Sequence, residues 1–145
     1  MIKDKTMKKE YKYMEKEQEK EQKKILLAED DVFVSDVYRT RLKSEGYNVD
    51  VVGDGREVLT HLEKSVPDII LLDIMMPYMD GMEVLSVIKS REDLKSVPIL
   101  MLTNNSEKEN VQKALSLGVE GYIIKSHFTP SEIVTKVNML FDKQV

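Results

Sequence analysis

Five polar residues along this chain of 145 residues each follow a short apolar run and could act together in one reaction. Glu29 and Asp30 follow "ILLA", Asp73 follows "IILL", Thr103 follows "ILML", and Lys125 follows "YII". A buried carboxylate without compensation costs several kcal/mol. Asp73, at the end of the most apolar run, therefore needs either partners or a chemical role.

The residue types favour phosphoryl transfer assisted by a metal ion. Carboxylates a few ångströms apart repel one another and cannot all stay ionised without a cation. Mg²⁺ binds one or two carboxylates, a carbonyl and waters, which leaves room for a phosphate oxygen. A carboxylate nucleophile beside such a metal is typical of phosphoryl transfer. Lys125 would then place a positive charge on the phosphoryl group, and Thr103 would donate a hydrogen bond to it.

The elements that would position these residues alternate along the chain. Apolar runs without helical periodicity predict five strands, at Ile25–Ala28, Val49–Val52, Ile69–Leu72, Ile99–Leu102 and Tyr122–Ile124. Segments between and after them have apolar residues at helical spacing, which predicts helices with one buried stripe. Strict alternation predicts an α/β fold with a five-stranded parallel sheet, doubly wound as (βα)5. In such sheets ligands bind at the carboxyl ends of the strands, where the five polar residues lie.

Charge divides the chain near Lys24. Residues 1–24 hold nine lysines and six acids, whereas the remainder is strongly acidic and brings the whole chain to −4. The first segment is predicted to be a charged tail, either flexible or a solvated helix. Residues 25–145 are predicted to form a single globular domain.

Composition excludes several classes of protein. The chain has no cysteine, which excludes a disulfide framework, a thiolate zinc site and a cysteine nucleophile. No apolar run approaches the roughly 20 residues that a membrane span needs, and the N-terminus lacks the apolar core of a signal peptide. We therefore expect a cytoplasmic protein that does not enter a membrane.

Taken together, four segments resemble the receiver domain of two-component response regulators, the flavodoxin-like fold of chemotaxis and sporulation phosphoacceptor proteins. These are "ILLAEDD", "LLDIMMPYMDGMEVL", "PILMLT" and "GYIIKS". They occur in the family's order and at its spacing, over about residues 25–143. The resemblance implies a domain that is phosphorylated on an aspartate and requires Mg²⁺.

The resemblance also assigns the metal site. Asp73 matches the phosphoacceptor. Glu29 and Asp30 match the acidic pair, with Asp30 as the more direct ligand of Mg²⁺. The resemblance implies that Asp73 also binds the metal, and Met75 matches the position whose backbone carbonyl completes the ligand set.

Further matches concern catalysis and switching. Thr103 matches the switch hydroxyl, Lys125 the catalytic lysine, and Tyr122 the aromatic residue that reorients with Thr103. Two positions depart from the family pattern: Asn104 stands where a small residue is usual, and Ser126 stands where proline is usual. These departures bear on dephosphorylation rate and partner choice rather than on the chemistry itself.

The implied function is a switch in signalling. A sensor histidine kinase or a phosphotransfer protein would donate the phosphoryl group, and the modified domain would bind a downstream protein target. We expect no attached output domain, no direct contact with nucleic acid, and a monomer or a weak phosphorylation-dependent dimer. The chain would not be an enzyme beyond catalysing its own phosphorylation and dephosphorylation.

Three alternatives stay open. A flavin-binding module would share the strand order, but "AEDD" after the first strand would repel a phosphate without a metal. An aspartyl phosphohydrolase would normally carry a second acid at the position of Met75. A receiver-like adaptor that is not phosphorylated would not need the complete set of site residues.

Met75 also predicts a long-lived acyl phosphate, because an apolar side chain does not orient a hydrolytic water.

Overall fold

The structure, a computed structural model, describes residues 5–104, 108–126 and 129–143. The strands are β1 (Lys24–Ala28), β2 (Asn48–Val52), β3 (Ile69–Asp73), β4 (Ile99–Thr103) and β5 (Gly121–Ile124). The helices are α1 (Lys5–Gln22), α2 (Val32–Ser44), α3 (Gly55–Lys64), α4 (Gly81–Ser90), α5 (Lys108–Ser116) and α6 (Pro130–Lys143). Each predicted strand is present to within one residue at either end.

The five strands form one parallel sheet in the order β2-β1-β3-β4-β5. The predicted doubly wound, flavodoxin-like fold is therefore confirmed. The winding direction switches between β1 and β3, which are direct neighbours. A ligand site is expected at the carboxyl ends of these two strands.

Helices cover both faces of the sheet, which explains the continuous apolar runs. On β1, Leu27 points into a core with residues of α2 and α6, such as Leu42 and Val137. Leu26 points the opposite way, into a core with residues of α3, α4 and α5, such as Leu85. Because successive strand residues alternate between faces, burial on both faces requires an apolar residue at every position. All four residues from Ile69 to Leu72 are fully buried.

Three aspartates that follow strands cap helices. The Asp31 carboxylate accepts the Phe33 N–H at 2.9 Å at the start of α2. Asp54 and Asp80 cap α3 and α4 in the same way. A capping carboxylate satisfies backbone donors at a helix N-terminus. These acids therefore have a structural role that is distinct from that of the acids described below.

Helix α1 occupies most of the charged tail. It carries exposed apolar side chains at Met7, Tyr11 and Met14, and it ends two residues before β1 begins. Within the described ranges, none of the helices combines the length and the apolar character that crossing a membrane requires.

Candidate functional site

The backbone ladder brings the ends of four strands to one edge of the sheet. The Glu29 N–H donates to the Val52 carbonyl at 3.0 Å, and the Lys125 N–H donates to the Thr103 carbonyl at 2.9 Å. Asp73 is the last residue of β3, between β1 and β4. The five polar residues singled out in the sequence therefore lie at the carboxyl edge, at and beside the switch point of the sheet.

Lys125 joins two buried carboxylates. Its Nζ lies 3.1 Å from Asp73 Oδ2, and 3.1 and 3.3 Å from the two oxygens of Glu29. The Glu29 side chain is 0% exposed and that of Asp73 is 2% exposed. One ammonium thus faces two carboxylates, so the buried cluster has an excess negative charge when both carboxylates are ionised.

Asp30 adds a third carboxylate from the exposed side. One oxygen each of Glu29, Asp30 and Asp73 can be chosen so that all three lie within 4.8 Å of one another. Three hard oxygen donors at this separation, with excess negative charge, suit a hard divalent cation such as Mg²⁺. The acidic residues predicted as metal ligands are therefore brought together, and their chemistry fits the ion.

Burial makes ionisation of Asp73 unfavourable. The pKa of Asp73 rises from 3.8 to about 7. Loss of solvation is the largest cause of this rise and the charge of Glu29 adds to it, whereas Lys125 only partly offsets them. Burial alone would lower the pKa of Lys125, but the two carboxylates outweigh it and the net change is upward. Lys125 therefore stays charged, whereas Asp73 gains a proton near neutral pH.

This raised pKa predicts how stability depends on pH without metal. Below about pH 4 Asp73 is protonated in both the folded and the unfolded chain. Between about pH 4 and 7 the unfolded chain releases its proton first, so the free energy of unfolding falls, by at most ~4 kcal/mol. In chelator, the stability gain from Asp73→Asn should be larger at about pH 8 than at about pH 5, by roughly 2 kcal/mol. Urea denaturation of both proteins measures it; an equal gain at both pH values would contradict the raised pKa.

Thr103 and Tyr122 border one cavity. The Thr103 hydroxyl is buried and donates to the Asn104 carbonyl at 2.8 Å. A cavity of about 240 Å³ lies beside these residues and is lined also by Val111, Leu115 and Ile124 among others. The Tyr122 side chain is 37% exposed at its border. Thr103 and Tyr122, which are predicted to reorient together, therefore border the same cavity.

The segments that depart from the family pattern have ordinary backbone. Every peptide bond among the described residues is trans, including that between Lys125 and Ser126. Asn104 presents its carbonyl to Thr103. The missing proline thus leaves the Lys125 ammonium within reach of both buried carboxylates.

The loop that follows Asp73 folds back on the Asp73 carboxylate. The Met75 N–H donates to Asp73 Oδ1 at 3.2 Å, and the Met75 side chain is 59% exposed. The Gly81 N–H closes the loop by donating to the Ile74 carbonyl at 2.8 Å. A Cβ on Gly81 would lie 2.1 Å from the Asp73 carbonyl oxygen. Only glycine fits there without moving the Asp73 backbone.

Gly81→Ala should therefore destabilise the protein. Because the clash is with backbone atoms, we expect a loss of roughly 1–3 kcal/mol in the free energy of unfolding. Gly53→Ala is the matched control, since a Cβ at Gly53 would meet no described atom within 4 Å. Urea denaturation of the two variants measures the difference; equal stability would contradict the close packing.

Sequence reasoning missed two residues at the edge of the site. The Arg56 guanidinium lies over the Tyr78 ring, with Cζ 3.8 Å from the ring centroid. Tyr78 has a φ of +66°, and it is the one non-glycine residue with positive φ in the described ranges. Arg56 lies outside the four segments that resemble the receiver domain, and Tyr78 lies within one of them at a position to which the resemblance assigns no role.

Comparison with known proteins gives the family. A model of the response regulator receiver domain matches residues 25–138. The DNA-binding response regulator MtrA of Mycolicibacterium paratuberculosis is 36% identical over 114 residues, which cover 79% of this chain and 49% of MtrA. The chain thus spans about half the length of the curated relatives it matches. Our expectation that it lacks an output domain stays a prediction.

Solved structures of response regulators are similar to this chain in fold and in sequence. The chemotaxis response regulator CheY4 of Vibrio cholerae is 30% identical with a TM-score of 0.74, covering 81% of this chain and 97% of that one. The Mn²⁺-bound form of the response regulator Rcp1 is 29% identical with a TM-score of 0.73, covering 85% and 96%. The chain belongs to the response regulator receiver domain family of two-component systems.

Proposed function

We propose that this receiver domain accepts a phosphoryl group on Asp73 and thereby switches a protein-binding face. The observation that carries the proposal is the contact of Lys125 Nζ with both Asp73 and Glu29, next to the third carboxylate of Asp30. This arrangement places a nucleophile, a fixed positive charge and a set of metal ligands around one point.

Glu29, Asp30, Asp73 and the Met75 backbone carbonyl are the residues that would hold Mg²⁺. The three carboxylates supply hard oxygen donors, and the Mn²⁺-bound form of Rcp1 supports binding of a divalent ion by this family. When bound, the ion would neutralise the phosphoryl oxygens and the excess negative charge of the acids.

The chain's own residues perform the transfer. An oxygen of Asp73 forms a bond to phosphorus while the bond from phosphorus to the donor breaks, and the electron pair leaves with the donor. Lys125 holds its ammonium beside the reacting carboxylate, so positive charge is in place as negative charge accumulates. Burial of Asp73 limits access of bulk water to the nucleophile.

Switching follows from a new acceptor for the Thr103 hydroxyl. Phosphorylation adds nearly two negative charges at Asp73. The hydroxyl would leave the Asn104 carbonyl for a phosphoryl oxygen, and Tyr122 would turn into the cavity that it now borders. The modification therefore stabilises one of two arrangements of the face formed by α5, β5 and α6.

We infer the partners from this chemistry. The donor is a phosphorylated histidine of a sensor kinase or a phosphotransfer protein, and the remodelled face binds a downstream protein. We expect no direct contact of this domain itself with nucleic acid. The DNA-binding response regulator MtrA is matched over about half of its length. Its DNA binding is therefore not carried over to this domain.

The test is phosphorylation of the wild-type chain by a small acyl phosphate, followed by intact mass. With Mg²⁺ we expect a gain of one phosphoryl group, and with a chelator little or none. Asp30→Asn should require much more Mg²⁺, whereas Asp36→Asn, which removes an exposed carboxylate of α2, should behave as wild type. No gain at any Mg²⁺ concentration, or an equal gain in chelator, would overturn the proposal.

Met75→Asn should shorten the lifetime of the modification. Because the Met75 N–H donates to Asp73, the side chain at this position starts close to the phosphoryl group. An amide there can orient a water for hydrolysis, which a thioether cannot do well. We expect loss of the phosphoryl group to be about 10-fold faster or more, within the range of general catalytic effects. Intact mass after removal of the donor measures the decay, and an unchanged rate would refute the role of Met75.

A further inference from the structure

The contact between Arg56 and Tyr78 joins the start of α3 to the loop that follows the acceptor. The guanidinium stacks on the ring at 3.8 Å. Both side chains are largely exposed, 61% for Arg56 and 77% for Tyr78. Since neither is needed to fill the core, the contact calls for another explanation.

Tyr78 lies at the centre of an unfavourable turn. Its φ is +66°, and the Met79 N–H donates to the Pro77 carbonyl at 2.8 Å across it. A three-residue turn with positive φ at its centre is a rare and strained γ-turn. A side chain with a Cβ disfavours this backbone, whereas glycine adopts it freely. The tyrosine therefore needs a stabilising contact to remain in this conformation.

The same loop is tied to the acceptor. The hydrogen bond from Gly81 to Ile74 closes it, and the Asp73 carbonyl leaves no space for a Cβ on Gly81. The Met75 N–H donates to the Asp73 carboxylate. A change in the turn at Tyr78 would therefore reach the acceptor through backbone contacts.

On its other side the loop rests on α3. A Cβ on Gly55 would lie 2.0 Å from the Met79 carbonyl oxygen, so the two backbones are in close contact. Arg56 follows Gly55 directly, and its N–H donates to the capping carboxylate of Asp54 at 2.7 Å. The guanidinium is thus presented from a fixed helix start to a loop that needs support.

We propose that Arg56 is a positioning residue that holds the strained turn at Tyr78 closed against α3. By doing so it keeps the backbone of the 74–80 loop, with the Met75 carbonyl, in the arrangement that binds the divalent cation. The link to the cation rests on the proposed function, whereas the support of the turn does not.

Amide hydrogen exchange at Gly81 reports opening of the loop, because this N–H bonds to Ile74 across it. In Arg56→Ala we expect exchange about two- to fivefold faster than in wild type, the effect of losing an exposed cation–π contact. Arg39→Ala, which removes another exposed arginine from an ion pair on α2, should leave the rate unchanged. Adding Tyr78→Gly to Arg56→Ala should restore slow exchange, because glycine relieves the strain that Arg56 offsets.

Equal exchange in Arg56→Ala and wild type would overturn the proposal. So would faster exchange that Tyr78→Gly does not restore, because Arg56 would then act through Asp54 instead. Saturating Mg²⁺ should slow Gly81 exchange in wild type and in Arg56→Ala, since the cation binds the closed loop. A wild-type chain that binds Mg²⁺ without slowing would overturn the link to the cation. One that binds no Mg²⁺ would contradict the proposed function, and the exchange rates of the variants would still decide the role of Arg56.

Discussion

Asp73→Asn should abolish phosphorylation of the chain by a small acyl phosphate in the presence of Mg²⁺. An amide is a poor nucleophile towards phosphorus and removes one negative ligand from the metal site. We expect the rate of phosphoryl gain to fall by at least ~10³-fold, as for loss of a nucleophile. Intact mass over time gives the rate for both proteins.

Two controls separate loss of the nucleophile from loss of the fold. Asp73→Asn should be as stable as wild type or more so without metal, since it removes a carboxylate whose ionisation burial opposes. Asp36→Asn should be phosphorylated at the wild-type rate. A folded Asp73→Asn protein that still gained a phosphoryl group at the wild-type rate would show that another residue is the acceptor.

Lys125→Met should slow phosphorylation strongly while leaving the acceptor in place. Among the described residues, Lys125 is the cation that contacts the carboxylate of Asp73, the proposed acceptor, and it also contacts Glu29. Removing a fixed group that stabilises developing negative charge typically costs about 10²–10³-fold in rate. We therefore expect phosphoryl gain at saturating Mg²⁺ to fall by roughly 10²-fold. Intact mass at several donor concentrations separates this effect from weaker binding of the donor.

Lys95→Met is the matched control, because Lys95 forms an exposed ion pair with Glu92. It should be phosphorylated at the wild-type rate. Lys125→Met should also raise the pKa of Asp73 further, since the charge that lowers it is lost. A Lys125→Met protein that gained the phosphoryl group as fast as wild type would contradict the proposed role of the lysine.

The fold could be predicted from the sequence because each strand and each helix is indicated by a short run of neighbouring residues. The run from Ile69 to Leu72 is apolar at every position, as expected of a strand that is covered on both faces. The position of the site also followed, because parallel strands place Glu29, Asp73 and Lys125 at one edge regardless of loop details. The resemblance to receiver domains, which these residues carry, is confirmed by the family match.

The features that could not be predicted depend on contacts between residues that are far apart in the sequence. Whether Lys125 would contact Glu29 as well as Asp73 depends on residues 96 positions apart. The left-handed backbone of Tyr78 has no local signal, because a tyrosine normally avoids positive φ. It arises where the loop must pass between the Asp73 backbone and the start of α3.

The tail is a different case. Its mixed lysines and acids suit a solvated helix or a flexible arm equally well. The structure has α1 there.

The measurement that tests the central claim most directly is the location of the phosphoryl group. After reaction with acyl phosphate and Mg²⁺, borohydride reduces an aspartyl phosphate to homoserine, and peptide mass identifies the converted residue. We predict conversion at Asp73 alone, lost in chelator and in Asp73→Asn. Conversion at another carboxylate, or none while the intact chain carries a phosphoryl group, would contradict the assignment of Asp73 as the acceptor.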